Sequence, residues 1–460
     1  MVYILNLSKE QIETAIQLFE IKETDNISDE QAQKAYSLYM GLHNKPNLLK
    51  GPDTVKPINN IDRTIISLSS DLFKTPQRII YLTRWVIKIL PFIDLLSEVG
   101  KLPLNRTIND FQGYLNDIFH KYLSVVRDIC NKIPENYNLI KNIDLQNVEE
   151  VCNKILSSLQ EYYKGYPNTA FTELKDALDW NLSPEGYLFH IMALQDGNIQ
   201  KLYKMRVGTN HTYTSDEMFH IPFELRGLVN TNRYSIPGLP CLYVGSSPLT
   251  CWEELNKPDL NITQTSLFLG TDLSYLNLST PPGAVIDKLI LTHNFYGYSD
   301  KKLEQTFREL LSYVVVWPLM AACSVRVKNT TDSFKPEYII PQLLLQWIRQ
   351  SSFDGVCYFS TKINNYSMKT AGFYRNFAFP AQEQKIEGHC SILRGKFDIT
   401  DAVPWQMFQI YKDSYLATPN EESVQAELEF VDGMKLLYFA TDFSKLETFL
   451  INKMTKQKDI

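Results

Sequence analysis

One stretch of this chain carries three polar side chains of unlike chemistry at wide, regular spacing. In Arg233-Tyr-Ser-Ile-Pro-Gly-Leu-Pro-Cys-Leu-Tyr-Val-Gly-Ser-Ser-Pro-Leu-Thr-Cys-Trp-Glu-Glu-Leu255, Tyr243 stands ten positions after Arg233 and Glu254 eleven positions after Tyr243. An arginine's planar fork grips a pyrophosphate from two sides, and a fixed carboxylate stabilises positive charge that develops beside it. Local grammar assigns each residue to a different element. Pro237-Gly-Leu-Pro240 reads as a turn and Cys241-Leu-Tyr-Val244 as a strand. Ser247 followed by Pro248 reads as an N-cap with proline in the first helical position, so Leu249 to Leu255 opens a helix. A loop arginine, a strand tyrosine and a helix glutamate can converge on one pocket wall.

Taken singly, each residue has a plainer explanation. Tyr243 in a Leu-Tyr-Val strand is ordinarily core, and Glu254 beside Glu253 can serve the helix dipole. Arg206 is a strand-end charge, and Ser360 a strand-end turn residue. The order of the motifs is what separates them from that background. Leu202-Tyr-Lys-Met-Arg206 lies upstream; Tyr338-Ile-Ile-Pro-Gln342, Asp354-Gly-Val-Cys-Tyr-Phe-Ser360 and Phe373-Tyr-Arg-Asn376 lie downstream. Together with Arg233, Gly238, Leu242-Tyr243 and Thr250-Cys-Trp-Glu-Glu254, this ordered set resembles the RES family, named for its Arg, Glu and Ser, whose members degrade NAD. Cys251 stands where the family has a small alanine. The resemblance runs from Leu202 to Asn376, under half of the chain.

The resemblance implies an ADP-ribosyltransferase-like fold and cleavage of the nicotinamide–ribose bond by phosphorolysis or hydrolysis. That reaction passes through an oxocarbenium-like state similar to the one in glycoside hydrolysis. On this reading Glu254 stabilises the ribose cation, Arg206 or Arg233 holds the pyrophosphate, and Tyr243 stacks on nicotinamide or holds the ribose. Ser360 bonds the amide or ribose, and Asn376 completes the substrate-binding set. NAD is then a substrate and inorganic phosphate a candidate co-substrate, with no cofactor and no metal expected. His211 and His220, nine residues apart, lack metal-ligand spacing. Family members are typically toxins of toxin–antitoxin pairs, so the expected setting is toxin–antitoxin or antiviral defence. The expected partners are an antitoxin or regulatory protein and a second copy of the chain. Two alternatives use the same residues: mono-ADP-ribosyltransfer onto a protein, and a non-catalytic NAD sensor.

The elements that must position these groups follow from periodicity. Ser8 with Gln11, and Ser28 with Gln31, have capping-box spacing. Arg78 to Val99, broken near Pro91, and the segments Phe111 to Ile133 and Leu145 to Tyr163 have the three- and four-residue apolar spacing of a helix bundle. Beyond residue 195 short β-type runs appear: Lys201–Val207, Leu242–Val244, Ala284–Ile290 and Gly355–Tyr358. Helices over Leu303–Trp317 and Tyr338–Arg349 lie between them. The expected fold class is α+β, with a helical N-terminal domain over 1–190, a catalytic domain over 196–385 and an extension over 386–460 packed on it. A lone NAD-degrading domain would poison its host, so the helical domain is expected to restrain or direct a self-sufficient catalytic domain, by sensing a trigger, oligomerising or covering the site.

Composition bounds the rest. At 460 residues the chain exceeds a single core, and 44% apolar with 21% charged residues is ordinary globular usage. A net charge of −6 without a basic run argues against nucleic acid as the main ligand. Seven cysteines, an odd number with no C-x-x-C pair, favour a reducing compartment. No signal peptide opens the sequence and charge interrupts every long apolar run, so a cytoplasmic location without a membrane span is expected.

Overall fold

The computed structural model describes residues 7–43, 70–188, 192–194, 199–291, 300–364, 366–412, 427–431 and 434–458. Helix starts follow the sequence grammar. Ser8 Oγ accepts from Gln11 N while Gln11 Oε1 accepts from Ser8 N, opening α1 (Lys9–Phe19). Ser28 and Gln31 repeat the exchange ahead of α2 (Asp29–His43). The Pro91 break is real: α3 (Pro76–Lys88) stops at Ile89, and Pro91 falls in the first turn of α4 (Leu90–Glu98), where its missing N–H costs nothing. α5 (Phe111–Lys132), α6 (Asn142–Tyr163) and α7 (Pro167–Asp176) follow, and α7 passes into a π-helical stretch, Ala177–Tyr187.

The second half is built on a mixed sheet, which makes the fold α+β. Its strands are β1 (Met192–Leu194), β2 (Gln200–Val207), β3 (Cys241–Gly245), β4 (Thr263–Gly270), β5 (Ser274–Leu278), β6 (Gly355–Phe359), β7 (Arg375–Pro380), β8 (Phe397–Ile399) and β9 (Val403–Pro404). Their order is β1-β5-β6-β7-β3-β2-β4-β8, with β9 also on β4. All pairings are antiparallel except β5 with β6. Parallel neighbours need a long crossover. Three helices supply it, and with the short α8 (Ser215–Met218) and α9 (Pro248–Glu254) before them they are α10 (Pro282–Leu291), α11 (Asp300–Cys323) and α12 (Ile339–Gln350).

Two expectations are corrected. Ala284–Ile290 is not a strand but the body of α10. Its run of β-branched and apolar residues suits either element, and Pro281-Pro282 ahead of it opens a helix rather than a strand. The final family strand begins at Arg375, because Phe373 and Tyr374 belong to a tight 3-10 turn, Ala371–Tyr374. β4, which pairs with β2 through eight registers, went unread because its polar Thr and Gln residues hide a buried strand.

The boundary expected between 190 and 196 falls mostly outside the described residues, and packing runs across it. Trp317 of α11 stacks on Tyr122 of α5 at 3.9 Å and donates through Nε1 to Gly100 O at 2.9 Å. Tyr122 in turn donates to Val314 O at 3.0 Å. Trp347 Nε1 on α12 reaches Asp179 Oδ1 at 2.7 Å. One continuous core joins α1 to α7 with α11, α12 and the sheet residues Leu276, Val356 and Ala378. Leu202, Leu242, Val244, Phe377 and Phe379 fill the other sheet face. The C-terminal residues contribute β8 and β9 to the sheet, and Phe443, Leu446 and Leu450 share a cluster with Tyr203 and Leu249. Among the described residues no helix is long and apolar enough to cross a membrane.

Beneath that second face His220 is buried, with Cys390 N donating to its Nε2 at 3.0 Å and its Nδ1 donating to Ile221 O at 2.7 Å. Both ring nitrogens are thus used in the neutral form, and burial lowers the imidazole pKa to about 4. A folded-state pKa below the unfolded value makes stability complete above about pH 6.5 and lost as pH falls toward 4. The urea midpoint measured at pH 7.5 and pH 5 should therefore report a loss of about 2 kcal/mol, and His220→Gln should remove most of that difference. An equal slope in the variant would assign the loss to other groups.

Candidate functional site

The helix that carries Glu254 is fixed at both ends. At its start Ser247 Oγ accepts from Thr250 N at 3.1 Å and donates to Phe373 O at 2.9 Å, and Thr250 Oγ1 also donates to Phe373 O. This ties α9 to the turn before β7. The helix lies so close to β3 that a Cβ on Gly245 would sit 3.0 Å from Cys251 Sγ, which accounts for glycine at that position. Asn256 and Lys257, both at positive φ, close the helix end. Upstream, Ile236–Leu239 form a turn with Pro237 and positive-φ Gly238 at its centre, closed by Leu239 N on Ile236 O at 3.0 Å.

Glu254 is where three of the expected site residues meet. Its Oε1 accepts from Ser360 Oγ at 2.6 Å and from Asn376 Nδ2 at 2.8 Å. Ser360 lies just past the end of β6, and Asn376 is buried on β7. The glutamate's Oε2 takes no hydrogen bond among the described residues, and Lys362 Nζ stands 4.0 Å from it. The side chain is 36% exposed despite that ion pair, so the carboxylate is not sealed in the core.

Arg233 stands close by. Its guanidinium lies over the Tyr338 ring at 5.3 Å and donates to Cys323 O at 3.1 Å and Thr361 Oγ1 at 3.4 Å. Gln342 of α12 holds the arginine's loop, with Nε2 donating to Asn232 O and Ser235 O. Tyr243 is on the same sheet face as Asn376, two residues along the β3–β7 register, but its hydroxyl pairs with Ser235 Oγ at 2.6 Å and not with Glu254. Tyr358, opposite Asn376 on β6, has its hydroxyl pKa raised by burial and by the nearby Glu254 carboxylate.

Arg206 does not join this group. Tyr203 pairs with Gly245, Gly245 with Asn376, and Asn376 with Tyr358, so these four share a face. Alternation along β2 then puts Arg206, three residues on, on the other face. Its guanidinium covers Tyr213 at 4.5 Å and donates to Glu217 O.

Sequence reasoning missed Lys362, Tyr338 as the arginine's platform, and Tyr358. Lys362 caps the carbonyl end of α9, its Nζ 3.0 Å from Glu253 O, 2.8 Å from Glu254 O and 2.7 Å from Asn256 Oδ1. A lysine two residues after Ser360 was the available signal, and a cation at a helix C-terminus is favourable. The seven cysteines are free thiols, and burial raises the pKa of six of them, Cys251 and Cys323 to about 12, so they are packing residues. Among the described residues no three His, Cys, Asp or Glu side chains are grouped to hold a metal.

No family model matches the chain, so the resemblance to the RES family stands on its motifs. The solved MbcT–MbcA toxin–antitoxin complex of M. tuberculosis matches 49% of this chain and 96% of that chain at 12% identity and a TM-score of 0.25, a likeness too slight to bear on fold or site. The Bacillus subtilis (strain 168) protein named Putative toxin YopC is 33% identical over 453 residues, 96% of this chain and 97% of that protein. Identity at that level along nearly the whole length, helical region included, makes this chain a member of the YopC family.

Proposed function

We propose that this protein is a toxin that cleaves NAD at the nicotinamide–ribose bond, with Glu254 as the carboxylate that stabilises the ribose cation. The observation that carries this reading is the Glu254 carboxylate, pinned at one oxygen by Ser360 and Asn376 while, among the described residues, the other meets Lys362 at 4.0 Å and takes no hydrogen bond. A preorganised charge of this kind gains most as the positive charge of the nicotinamide ring passes onto the ribose. The glycosidic C–N bond breaks, nicotinamide leaves with the electron pair, and an oxygen of water or phosphate bonds to the ribose carbon. Arg233, held over the Tyr338 ring at 5.3 Å, is the group for the pyrophosphate. The name of the curated relative agrees with a toxic role, and such an activity calls for an antitoxin or another restraint.

Incubating the full chain with NAD and following nicotinamide release tests the reading. Mass spectrometry of the products in phosphate and in phosphate-free buffer separates phosphorolysis from hydrolysis. Binding of NAD without consumption would replace the proposal with a sensor, and label transferred to an added protein would replace it with ADP-ribosyltransfer.

Arg233→Lys should not rescue Arg233→Ala. Lysine keeps the charge but loses the planar fork and the stacking surface on Tyr338. NAD affinity measured in a Glu254→Gln background is expected to fall about tenfold in both variants. Full affinity with lysine would reduce Arg233 to a source of general positive potential.

A further inference from the structure

Three consecutive side chains that bond to Glu254, to Arg233 or to the end of α9 come from one short loop after β6. Ser360 bonds the Glu254 carboxylate, Thr361 accepts from Arg233, and Lys362 caps the helix that ends in Glu254. Such a loop orders the site only if something orders the loop. Arg326, just beyond α11, does so with most of its donors. Its Nε donates to Thr361 O at 2.6 Å, Nη2 to Ile363 O at 2.5 Å, and Nη1 to Asn364 Oδ1 at 2.8 Å.

Arg326 is itself held by the helical region. Its main-chain N donates to Leu104 O at 2.8 Å, its Nη1 also reaches Asn105 Oδ1 at 3.1 Å, and the two backbones form a parallel bridge. The next residue, Arg106, makes a buried ion pair with Glu337, at 2.5 Å from Nη2 and 3.0 Å from Nε. Glu337 directly precedes Tyr338, the ring beneath Arg233. Two separate routes thus lead from Leu104–Arg106 to the two halves of the candidate site.

We propose that Arg326 is the positioning residue of the Glu254 site and that the segment Leu104–Arg106 is the strut that holds it. The catalytic consequence rests on the NAD-cleavage reading; the strut does not. A guanidinium suits the task because its donors lie in one rigid plane and address several carbonyls at once, which a lysine cannot do. Loosening the loop moves Ser360 and Lys362, and displacements near 1 Å at a reacting centre cost on the order of 100-fold in rate.

The test uses the full chain with Arg326→Met, Arg326→Lys, Asn105→Ala and the remote surface control Arg127→Met. Amide exchange is read at Ser360 and Lys362 without NAD, and turnover is read as kcat separately from NAD affinity. Arg326→Met is expected to speed exchange in the loop at least tenfold. It should lower kcat by about 100-fold and leave affinity in a Glu254→Gln background within about threefold. Lysine should recover little, and Arg127→Met should match wild type. Should Arg326→Met fail to fold, Asn105→Ala, which removes one acceptor, carries both readouts at smaller amplitude. Unchanged loop protection overturns the strut, and a loosened loop with kcat within about threefold of wild type overturns the positioning role. If the wild-type chain leaves NAD intact, the function reading falls while the exchange arm still decides the strut.

Discussion

Glu254→Gln is expected to leave a folded protein whose nicotinamide release is lower by about 100-fold or more. The substitution is nearly isosteric, and the glutamine Oε1 still accepts from Ser360 Oγ and Asn376 Nδ2, which bond only that oxygen in the native site. What disappears is the negative charge, carried also by the oxygen that takes no hydrogen bond and lies 4.0 Å from Lys362 Nζ. A ribose that becomes cationic loses its counter-charge, while the neutral ground state of the ribose loses little, so the deficit falls on kcat rather than on NAD affinity. Glu253→Gln is the internal control. Glu253 is buried and pairs with Lys257 at 3.1 Å, so its loss should lower the melting temperature slightly and leave turnover within a few-fold of wild type. Expression in a host should show the same contrast, with NAD depletion and growth arrest from wild type and Glu253→Gln and none from Glu254→Gln. Near-normal turnover in Glu254→Gln would remove this carboxylate from the chemistry.

The parts of the site legible in the sequence were those whose signal is local. Ser247-Pro248 announces a helix start, Pro237-Gly238 a turn, and Ser360 the end of a strand, and each of these is where the sequence puts it, whereas Asn376, read as closing a strand from Phe373, stands near the start of β7. Arg206 was misjudged because which face a strand residue occupies depends on pairing register, and the one register that decides it, Tyr203 with Gly245, joins positions 42 residues apart. Lys362, Arg326 and Tyr338 were missed for a related reason. Each acts on partners that the fold brings in from elsewhere: α9 for Lys362, the segment at Asn105 for Arg326, Arg233 for Tyr338. Polarity alone marked none of them. The α10 error has another origin, since an apolar β-branched run carries no period that tells helix from strand, and only the two prolines before it did.

Removing residues 1–190 should abolish folding, not release an unrestrained enzyme. The amphipathic pattern of the first helices suggested a detachable bundle, but the apolar stripes of α5, α6 and α7 are spent on α11 and α12 and not only on one another. Val314, Val315, Val316, Trp317, Leu319 and Met320 of α11 are all at most 2% exposed in the full chain and lie in the same core as Tyr122, Val126 and Ile155. Stripping away the helical region returns much of that surface to water. At roughly 1.5–3 kcal/mol for each large apolar side chain re-exposed, four or five such residues already match the 5–15 kcal/mol that typically separates folded from unfolded chains. The losses continue at the site: Arg326 is left without Leu104 and Asn105, and Glu337 becomes a buried carboxylate without Arg106. A chain of residues 191–460 expressed alone is therefore expected to be insoluble or to lack a cooperative melt and near-ultraviolet circular dichroism, and to leave NAD untouched. Supplying residues 1–190 as a separate chain in the same cell should recover soluble protein, because the missing surface is supplied in trans. A soluble 191–460 fragment that melts cooperatively and cleaves NAD would show instead that the sheet and its crossover helices are self-sufficient, and the helical region would revert to a restraint laid over a complete enzyme.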